Sequence, residues 1–161
     1  MRIIGVDPGL RCTGFGIIEH KGNQTRVITA GVVKTSSKES IENRLNKIYS
    51  HTLDIILEHK PKLLVLEKLY SHYKHPTTAI SLGYARGVVC LACGQAKIPV
   101  KSYSAKRIKK AITGKGNASK YQIQHMIQRL LRLDKLPSPF DVSDALALAL
   151  GYLYLNKREI I

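Results

Sequence analysis

The sequence predicts an α/β domain in which a mixed five-stranded sheet is covered by helices on both faces. Three observations support this prediction. Strand-length apolar runs alternate with helical patterns in the order β-β-β-α-β-α-β-α-α-α. The run Leu63-Leu64-Val65-Leu66 is continuously apolar, as expected for a central strand buried on both faces. A Gly22-Asn23 turn after the second run indicates an antiparallel hairpin.

The N-terminal part of the chain predicts a meander of three strands. Residues 2–7 form an apolar run that ends at Asp7 and is broken by Pro8-Gly9. Residues 14–19 and 26–33 follow, joined by the turn at residues 21–23. The short connections between these runs favour antiparallel neighbours.

The rest of the chain predicts five helices and two strands. A helix begins at Ser40 and ends near Lys60, before Pro61, because apolar residues recur at helical spacing. These residues are Ile41, Leu45, Ile48, Leu53, Ile56 and Leu57. The other predicted elements are strands 63–67 and 98–100, helices 77–96, 104–112 and 119–133, and a last helix from near Ser138 to Leu155.

Length and cysteine content bound the class of protein. A chain of 161 residues without repeats or long linkers fits a single domain, residues 1–161. No apolar run approaches about 20 residues, the length of a membrane span, and the N-terminus lacks the layout of a signal peptide. Three cysteines provide no disulfide framework, which favours a reducing cytoplasm. Cys90 and Cys93 lack a second ligand pair, so we expect buried thiols rather than zinc or redox chemistry.

The chain is strongly and unevenly basic. It carries 26 Lys and Arg against 11 Asp and Glu, a formal charge of +15. Residues 68–133 include 13 Lys or Arg and no acid. A solvated face usually mixes signs, whereas this segment avoids negative charge. Nucleic acid is therefore the favoured partner, ahead of an anionic membrane surface.

Four carboxylates stand at the ends of apolar segments. Asp7 closes the first strand, Glu67 closes the strand 63–67, and Asp141 and Asp144 open the last helix. Asp7 could simply belong to the Asp-Pro-Gly turn, and Asp141 could cap a helix through the Ser138-x-x-Asp141 spacing. Glu67 and Asp144 have no such local role, and buried charge is costly unless something pairs with it. Together the four predict a metal site.

Four motifs resemble a known family. They are Gly5-Val6-Asp7-Pro8-Gly9 with Thr13-Gly14-Phe15-Gly16, then Leu66-Glu67, Ala85-Arg86-Gly87-Val88, and Asp141-Val142-Ser143-Asp144-Ala145-Leu146-Ala147. In order and spacing they resemble the RuvC family of Holliday-junction resolvases over nearly the whole chain. The resemblance implies a ribonuclease-H-like fold, a homodimer, and Mg²⁺-dependent nicking of two strands of a four-way DNA junction. It also implies a partnership with the RuvA-RuvB branch-migration complex.

The resemblance also assigns residues. The family's catalytic, metal-binding acids map onto Asp7, Glu67, Asp141 and Asp144, and its basic residues near the site map onto Lys109 and Lys120. An aromatic residue that meets unstacked bases, usually Phe in the family, is Tyr70 here. With the acid-free segment, this predicts the DNA-binding set Tyr70, Arg86, Lys106, Arg107, Lys109, Lys110, Lys115 and Lys120.

The expected chemistry is two-metal phosphodiester hydrolysis. Two cations about 3.5–4 Å apart activate water and stabilise the leaving oxygen. Oxygen ligands suit Mg²⁺, with Mn²⁺ as a substitute. His72, His75 and His125 could assist proton transfer or contact phosphates.

The helix 77–96 is the predicted dimer surface. It contains Gly83, Gly87 and Gly94, which weaken a helix and permit close approach. Its apolar residues Ile80, Leu82, Val88, Val89 and Leu91 exceed what one core-facing stripe needs. The alternative is a helix wholly internal to the monomer.

Three other functions compete with junction cleavage. An ATPase of the actin and sugar-kinase type shares the first strand and turn but needs a second lobe. A structural nucleic-acid-binding protein explains the charge but not the four acids. A ribonuclease H or RNA-processing relative would share the fold and prefer another substrate.

Overall fold

A computed structural model describes residues 1–69 and 76–156. The strands are β1 (Arg2–Asp7), β2 (Cys12–Lys21), β3 (Gln24–Lys34), β4 (Leu63–Glu67) and β5 (Val100–Tyr103). The helices are α1 (Ile41–His59), α2 (Pro76–Gln95), α3 (Ala105–Thr113), α4 (Lys120–Leu130) and α5 (Phe140–Leu155). The predicted order of elements is confirmed.

The five strands form one mixed sheet in the order β3-β2-β1-β4-β5. The β1–β2 and β2–β3 pairs are antiparallel, whereas β1–β4 and β4–β5 are parallel. The turn between β2 and β3 places Gly22 at φ +57°, in the left-handed region that glycine adopts without strain. The two central strands, β1 and β4, therefore run side by side in the same direction.

Successive side chains along each strand point to opposite faces of the sheet, and each face packs into its own apolar core. Ile3, Ile18 and Val65 face one core with α3, α4 and α5. Ile4, Ile17 and Leu64 face the other with α1 and α2. All six side chains are fully buried, and the predicted covering of the sheet on both faces is confirmed.

Several predicted boundaries differ from the structure. The fifth strand begins at Val100 rather than Ile98, because Pro99 cannot donate a backbone hydrogen bond and only accepts one from Leu64. In α1 the predicted apolar stripe is partly wrong, since Ile41 and Leu57 are exposed while Ile55 packs in the core. Which face of a helix is buried depends on how it packs against its neighbours, and the spacing of apolar residues alone does not determine this.

Helix α2 has one buried and one exposed face. By length and composition alone it could cross a membrane, with a mean hydropathy of 1.2, although no segment of that kind was expected from the sequence. Four of its residues nevertheless pack inside this domain: Ala85, Val89, Ala92 and Cys93. The predicted apolar set is therefore divided, because Val89 belongs to the core while Ile80 and Leu91 are exposed.

Candidate active site

Two of the four acids leave the sheet at the same edge. Asp7 is the last residue of β1 and Glu67 is the last of β4. These strands are parallel neighbours in register, with Val6 opposite Leu66. Their carboxyl ends therefore place both acids side by side, as the sequence predicted.

Close packing of α5 on the sheet brings the other two acids to this edge. A side chain at Gly5 would collide with the backbone of Ala145, and one at Gly14 would collide with the backbone of Asp141. Only glycine permits this approach. Asp141 and Asp144, in the first turns of α5, are thereby held against the end of β1.

The acids divide between two adjoining depressions. Asp7, Glu67 and Asp144 line a pocket of about 280 Å³ together with Lys109 and Lys120. Asp141 lies in a neighbouring groove with Gly9 and Cys12. Three of the four predicted acids thus share one pocket with two predicted basic residues, and the fourth borders it.

A larger groove of about 650 Å³ lies elsewhere, between the β2–β3 turn and the ends of α4 and α5. Its one carboxylate, Glu19, is already paired with Arg2 at 3.0 Å and with Arg26 at 2.6 Å. By size alone this groove would be the candidate active site, but the clustered carboxylates and lysines favour the smaller pocket.

The pocket raises the pKa of its carboxyl groups. Burial, followed by the charges of Asp144, Asp141 and Glu67, raises the pKa of Asp7 from 3.8 to about 7. Burial and the charge of Asp144 raise the pKa of Glu67, while Lys109 and Lys120 oppose this. Burial also raises the pKa of Asp144, again against Lys120. Concentrated negative charge that is costly to maintain is typical of a functional site.

Lys120 provides a direct counter-charge. Its Nζ lies 3.5 Å from Oδ2 of Asp144 and 6.0 Å from the centre of the Phe140 ring. Tyr121 packs edge-on against the same ring, with centroids 5.1 Å apart. The first residues of α4 and α5 are therefore joined directly at the pocket rim.

Asp141 does not cap α5. The helix begins at Phe140 after Pro139, and no side chain caps it. The capping interpretation of Ser138 and Asp141 is therefore wrong, which removes the local alternative for Asp141. By contrast, Ser119 and Gln122 form a complete capping box at the start of α4.

The donor set suits a hard divalent cation, although the side chains are not yet arranged as a closed centre. Among the described residues, no group of three or more Asp, Glu, His or Cys is gathered tightly enough to hold a metal as it stands. The oxygen ligands and the mutual repulsion that raises the pKa of Asp7 both fit a bound cation. The residues thus match a hard divalent cation in chemistry and charge.

The predicted DNA-binding residues occupy different environments. Lys106, Arg107, Lys110 and Lys115 are exposed, with the Arg107 guanidinium 5.1 Å from the centre of the Tyr103 ring. Arg86 instead donates hydrogen bonds to the Glu67 carbonyl oxygen and to Ser102 Oγ. Tyr70, His72 and His75 lie outside the described residues, and His125 is exposed on α4.

Two features near the acids were not predicted from the sequence. Cys12 lies beside Asp141, and burial together with that carboxylate raises the pKa of the thiol. Thr13 Oγ1 donates to the Gly9 carbonyl oxygen across 2.8 Å, which fastens the loop after Asp7. The Thr13 motif was visible in the sequence, but its partner depends on how the loop folds back.

Comparisons with known proteins point to one family. The profile described as crossover junction endodeoxyribonuclease RuvC matches residues 3–152. A protein of that name from Rhodopirellula baltica is 41% identical over 158 residues, covering 98% of this chain and 89% of the relative. One from Halothermothrix orenii is 42% identical over 161 residues, covering 99% and 97%.

Solved structures agree. The RuvC structure from Thermus thermophilus has a TM-score of 0.89 and 31% identity, covering 99% of this chain and 97% of that one. The same organism's RuvC in complex with Holliday junction substrate has a TM-score of 0.92 and 30% identity, covering 99% and 96%. The ribonuclease-H-like fold that the sequence implied is thereby confirmed.

Proposed function

Because this chain belongs to the RuvC family of crossover junction endodeoxyribonucleases, we propose that it resolves four-way (Holliday) DNA junctions during recombination and repair. The observation that carries the proposal is the pocket shared by Asp7, Glu67, Asp144, Lys109 and Lys120. It combines a concentrated anionic site with cationic side chains on a protein of charge +15. Cleavage of a polyanion requires both.

Asp7, Glu67 and Asp144, with Asp141 at the border, are proposed to hold the metal, as two Mg²⁺ per site with Mn²⁺ able to substitute. Bound there, the cations would supply an activated water and a charge that stabilises the leaving oxygen. The protein's own contribution is to hold these carboxylates together despite their repulsion, which is evident in the raised pKa of Asp7.

Lys109 and Lys120 are proposed to bind the phosphate that is cut. Both line the pocket, and Lys120 lies within ion-pair distance of Asp144. With the carboxylates neutralised by a bound cation, the Lys120 ammonium would be available to contact a phosphate oxygen. Lys106, Arg107, Lys110 and Lys115, exposed nearby in the acid-free segment, are proposed to hold the flanking backbone, with Tyr70 stacking on bases.

The working unit is proposed to be a twofold homodimer that pairs through α2. Ile80, Tyr84 and Leu91 are 55%, 50% and 60% exposed. Among the described residues, a side chain built at Gly83, Gly87 or Gly94 would meet nothing within 4 Å. Within the described parts of the chain, this helix face thus has exposed apolar groups and glycines that no other element covers, which suits an isologous interface. Two copies would supply the two matched nicks.

The remaining parts of the proposal follow from the family. Residues 1–161 would act as one nuclease domain in the cytoplasm, where the free thiols of Cys12, Cys90 and Cys93 remain reduced. Burial raises the pKa of Cys93 to about 12, as expected for a packed thiol rather than a redox site. The RuvA-RuvB complex is the proposed branch-migration partner.

A cleavage assay tests the proposal against other enzymes of the same fold. Purified protein is incubated in Mg²⁺ with a synthetic four-way junction, a linear duplex of the same sequence, and an RNA–DNA hybrid. We expect cleavage of the junction and little or none of the other two. Preferential cleavage of the hybrid would instead support a ribonuclease H.

A further inference from the structure

A second groove lies outside the catalytic pocket, along the outer side of α4. Its volume is about 380 Å³, and it is lined mainly by Lys115, Tyr121, Gln122, His125, Met126 and Arg129. We refer to it as the α4 groove. None of its residues lines the pocket of the catalytic acids.

The α4 groove presents positive charge without an acidic counterpart. Tyr121, His125 and Arg129 are spaced four residues apart, so they share one helix face, and all three are exposed. Lys115 is exposed at the rim. In the described part of the chain neither Lys115 nor Arg129 forms an ion pair, and no acid lines the groove. A groove with cations and no acid has a positive potential, which favours an anionic partner.

The groove begins where the catalytic pocket ends. Lys120, the residue before Tyr121, faces Asp144, and Tyr121 itself packs on Phe140, the neighbour of Asp141. From Tyr121 to Arg129 the helix rises about 12 Å. One DNA strand carries a phosphate about every 3.4 Å along the duplex axis, so a groove of this length can contact more than one phosphate of a strand.

We propose that the α4 groove holds the sugar–phosphate backbone of one duplex arm as it leaves the cleavage point, with Lys115 and Arg129 on separate phosphates. Tyr121 and His125 offer hydrogen bonds to the same strand. The inference rests on the proposed function, because it takes the pocket at the start of α4 to be where the strand is cut.

Salt dependence of binding tests the inference. Arg129→Gln, Lys115→Gln and the double variant are compared with the parental protein on a four-way junction, with Ca²⁺ replacing Mg²⁺ to prevent cleavage. Each lost phosphate contact should reduce the slope of log affinity against log salt by about 0.9. The ratio of parental to variant affinity should then fall about 3.5-fold per lost contact as salt rises from 50 to 200 mM.

Two controls separate a contact from a general effect. Lys62→Gln removes the same charge at an exposed site before β4, at the opposite edge of the sheet, and should leave the slope unchanged. Arg129→Lys retains the charge and should retain most of the slope. Glutamine is a good helix former, and melting curves verify that α4 remains folded.

Neutral methylphosphonates placed in short windows along one arm locate the contact. When the methylphosphonates lie near the cleavage point, the parental protein should bind the junction more weakly. The affinity of Arg129→Gln should not change with that substitution, because its contact is already absent. Unchanged salt slopes, or an equal methylphosphonate penalty in both proteins, would overturn the inference. A protein that binds and cleaves no junction would instead refute the proposed function.

Discussion

Nη1 of Arg86 donates a hydrogen bond to the main-chain carbonyl oxygen of Glu67 across 2.6 Å, and Nη2 donates to Ser102 Oγ across 2.8 Å. The guanidinium of a residue on α2 thus joins the ends of β4 and β5. Because the carbonyl belongs to a proposed catalytic residue, Arg86 positions that strand end. This role differs from the DNA contact predicted from the sequence.

Substitution of Arg86 distinguishes the two roles. Lysine keeps the charge but cannot reproduce the planar pair of hydrogen bonds. If Arg86 positions Glu67, Arg86→Lys should lower cleavage about 10- to 100-fold and raise the Mg²⁺ concentration needed for half-maximal rate, with junction affinity little changed. If Arg86 mainly binds phosphate, Arg86→Lys should cleave nearly normally. Arg86→Gln should then reduce the slope of log affinity against log salt by about 0.9.

Each of the four acids should be required for cleavage. We expect Asp7→Asn, Glu67→Gln, Asp141→Asn and Asp144→Asn each to reduce the rate at least about 100-fold, because metal-ion stabilisation is worth several kcal/mol. Junction affinity should be retained, since removing negative charge does not weaken attraction to phosphate. Asp54→Asn, an exposed acid on α1, is the matched control and should cleave normally. A neutralised variant with the parental rate would remove that residue from the site.

The raised pKa of Asp7 predicts a pH-dependent cost to stability. Between pH 3.8 and about pH 7, the Asp7 carboxyl group is protonated in the folded state, whereas it is ionised in the unfolded state. The free energy of unfolding, measured without divalent ions, should therefore fall as pH rises through this window. At pH 8 the full loss of unfolding free energy has been reached. Its upper limit is about 4 kcal/mol, because each unit of difference between the folded and unfolded pKa corresponds to about 1.36 kcal/mol.

Melting temperatures measure this effect. Asp7→Asn should melt above the parental protein at pH 8, and the difference should shrink toward pH 4. Added Mg²⁺ should stabilise the parental protein at pH 8 and have less effect on the variant. A parental protein that melts higher than Asp7→Asn at pH 8 without metal would contradict the assignment of Asp7 to a crowded anionic site.

The proposed dimer surface makes a separate prediction. Leu91→Glu places a charge in the exposed apolar face of α2 and should shift a micromolar dimer to monomer in sedimentation. Leu57→Glu is a matched control, because Leu57 on α1 is 56% exposed and Leu91 is 60% exposed. It should sediment like the parental protein. Parental protein that remains monomeric both alone and on a junction it resolves would exclude the dimer.

The sequence predicted features that depend on local pattern. The bounds of β1 and β4 follow from apolar runs closed by Asp7 and Glu67, and both are confirmed. Parallel pairing of these strands then brings the two acids together. Gly5 and Gly14 stood in the recognised motif, but their purpose became visible only once α5 lay against them.

Other features depend on tertiary packing and could not be read from pattern. Ser138 and Asp141 have capping-box spacing, yet α5 starts at Phe140 and neither residue caps it. Arg86 lies in a basic segment, and only the meeting of α2, β4 and β5 reveals its hydrogen bonds. The position of Val89 in the core, one residue from partly exposed Val88, is set by how α2 is rotated against α1.

Mapping the nicks on a four-way junction at single-nucleotide resolution in Mg²⁺ tests the proposed function most directly. We expect two nicks at symmetry-related positions in strands of like polarity, absent with Asp144→Asn and absent on linear duplex. A single unpaired nick, scattered cuts along all arms, or equal cleavage of the linear duplex would contradict it.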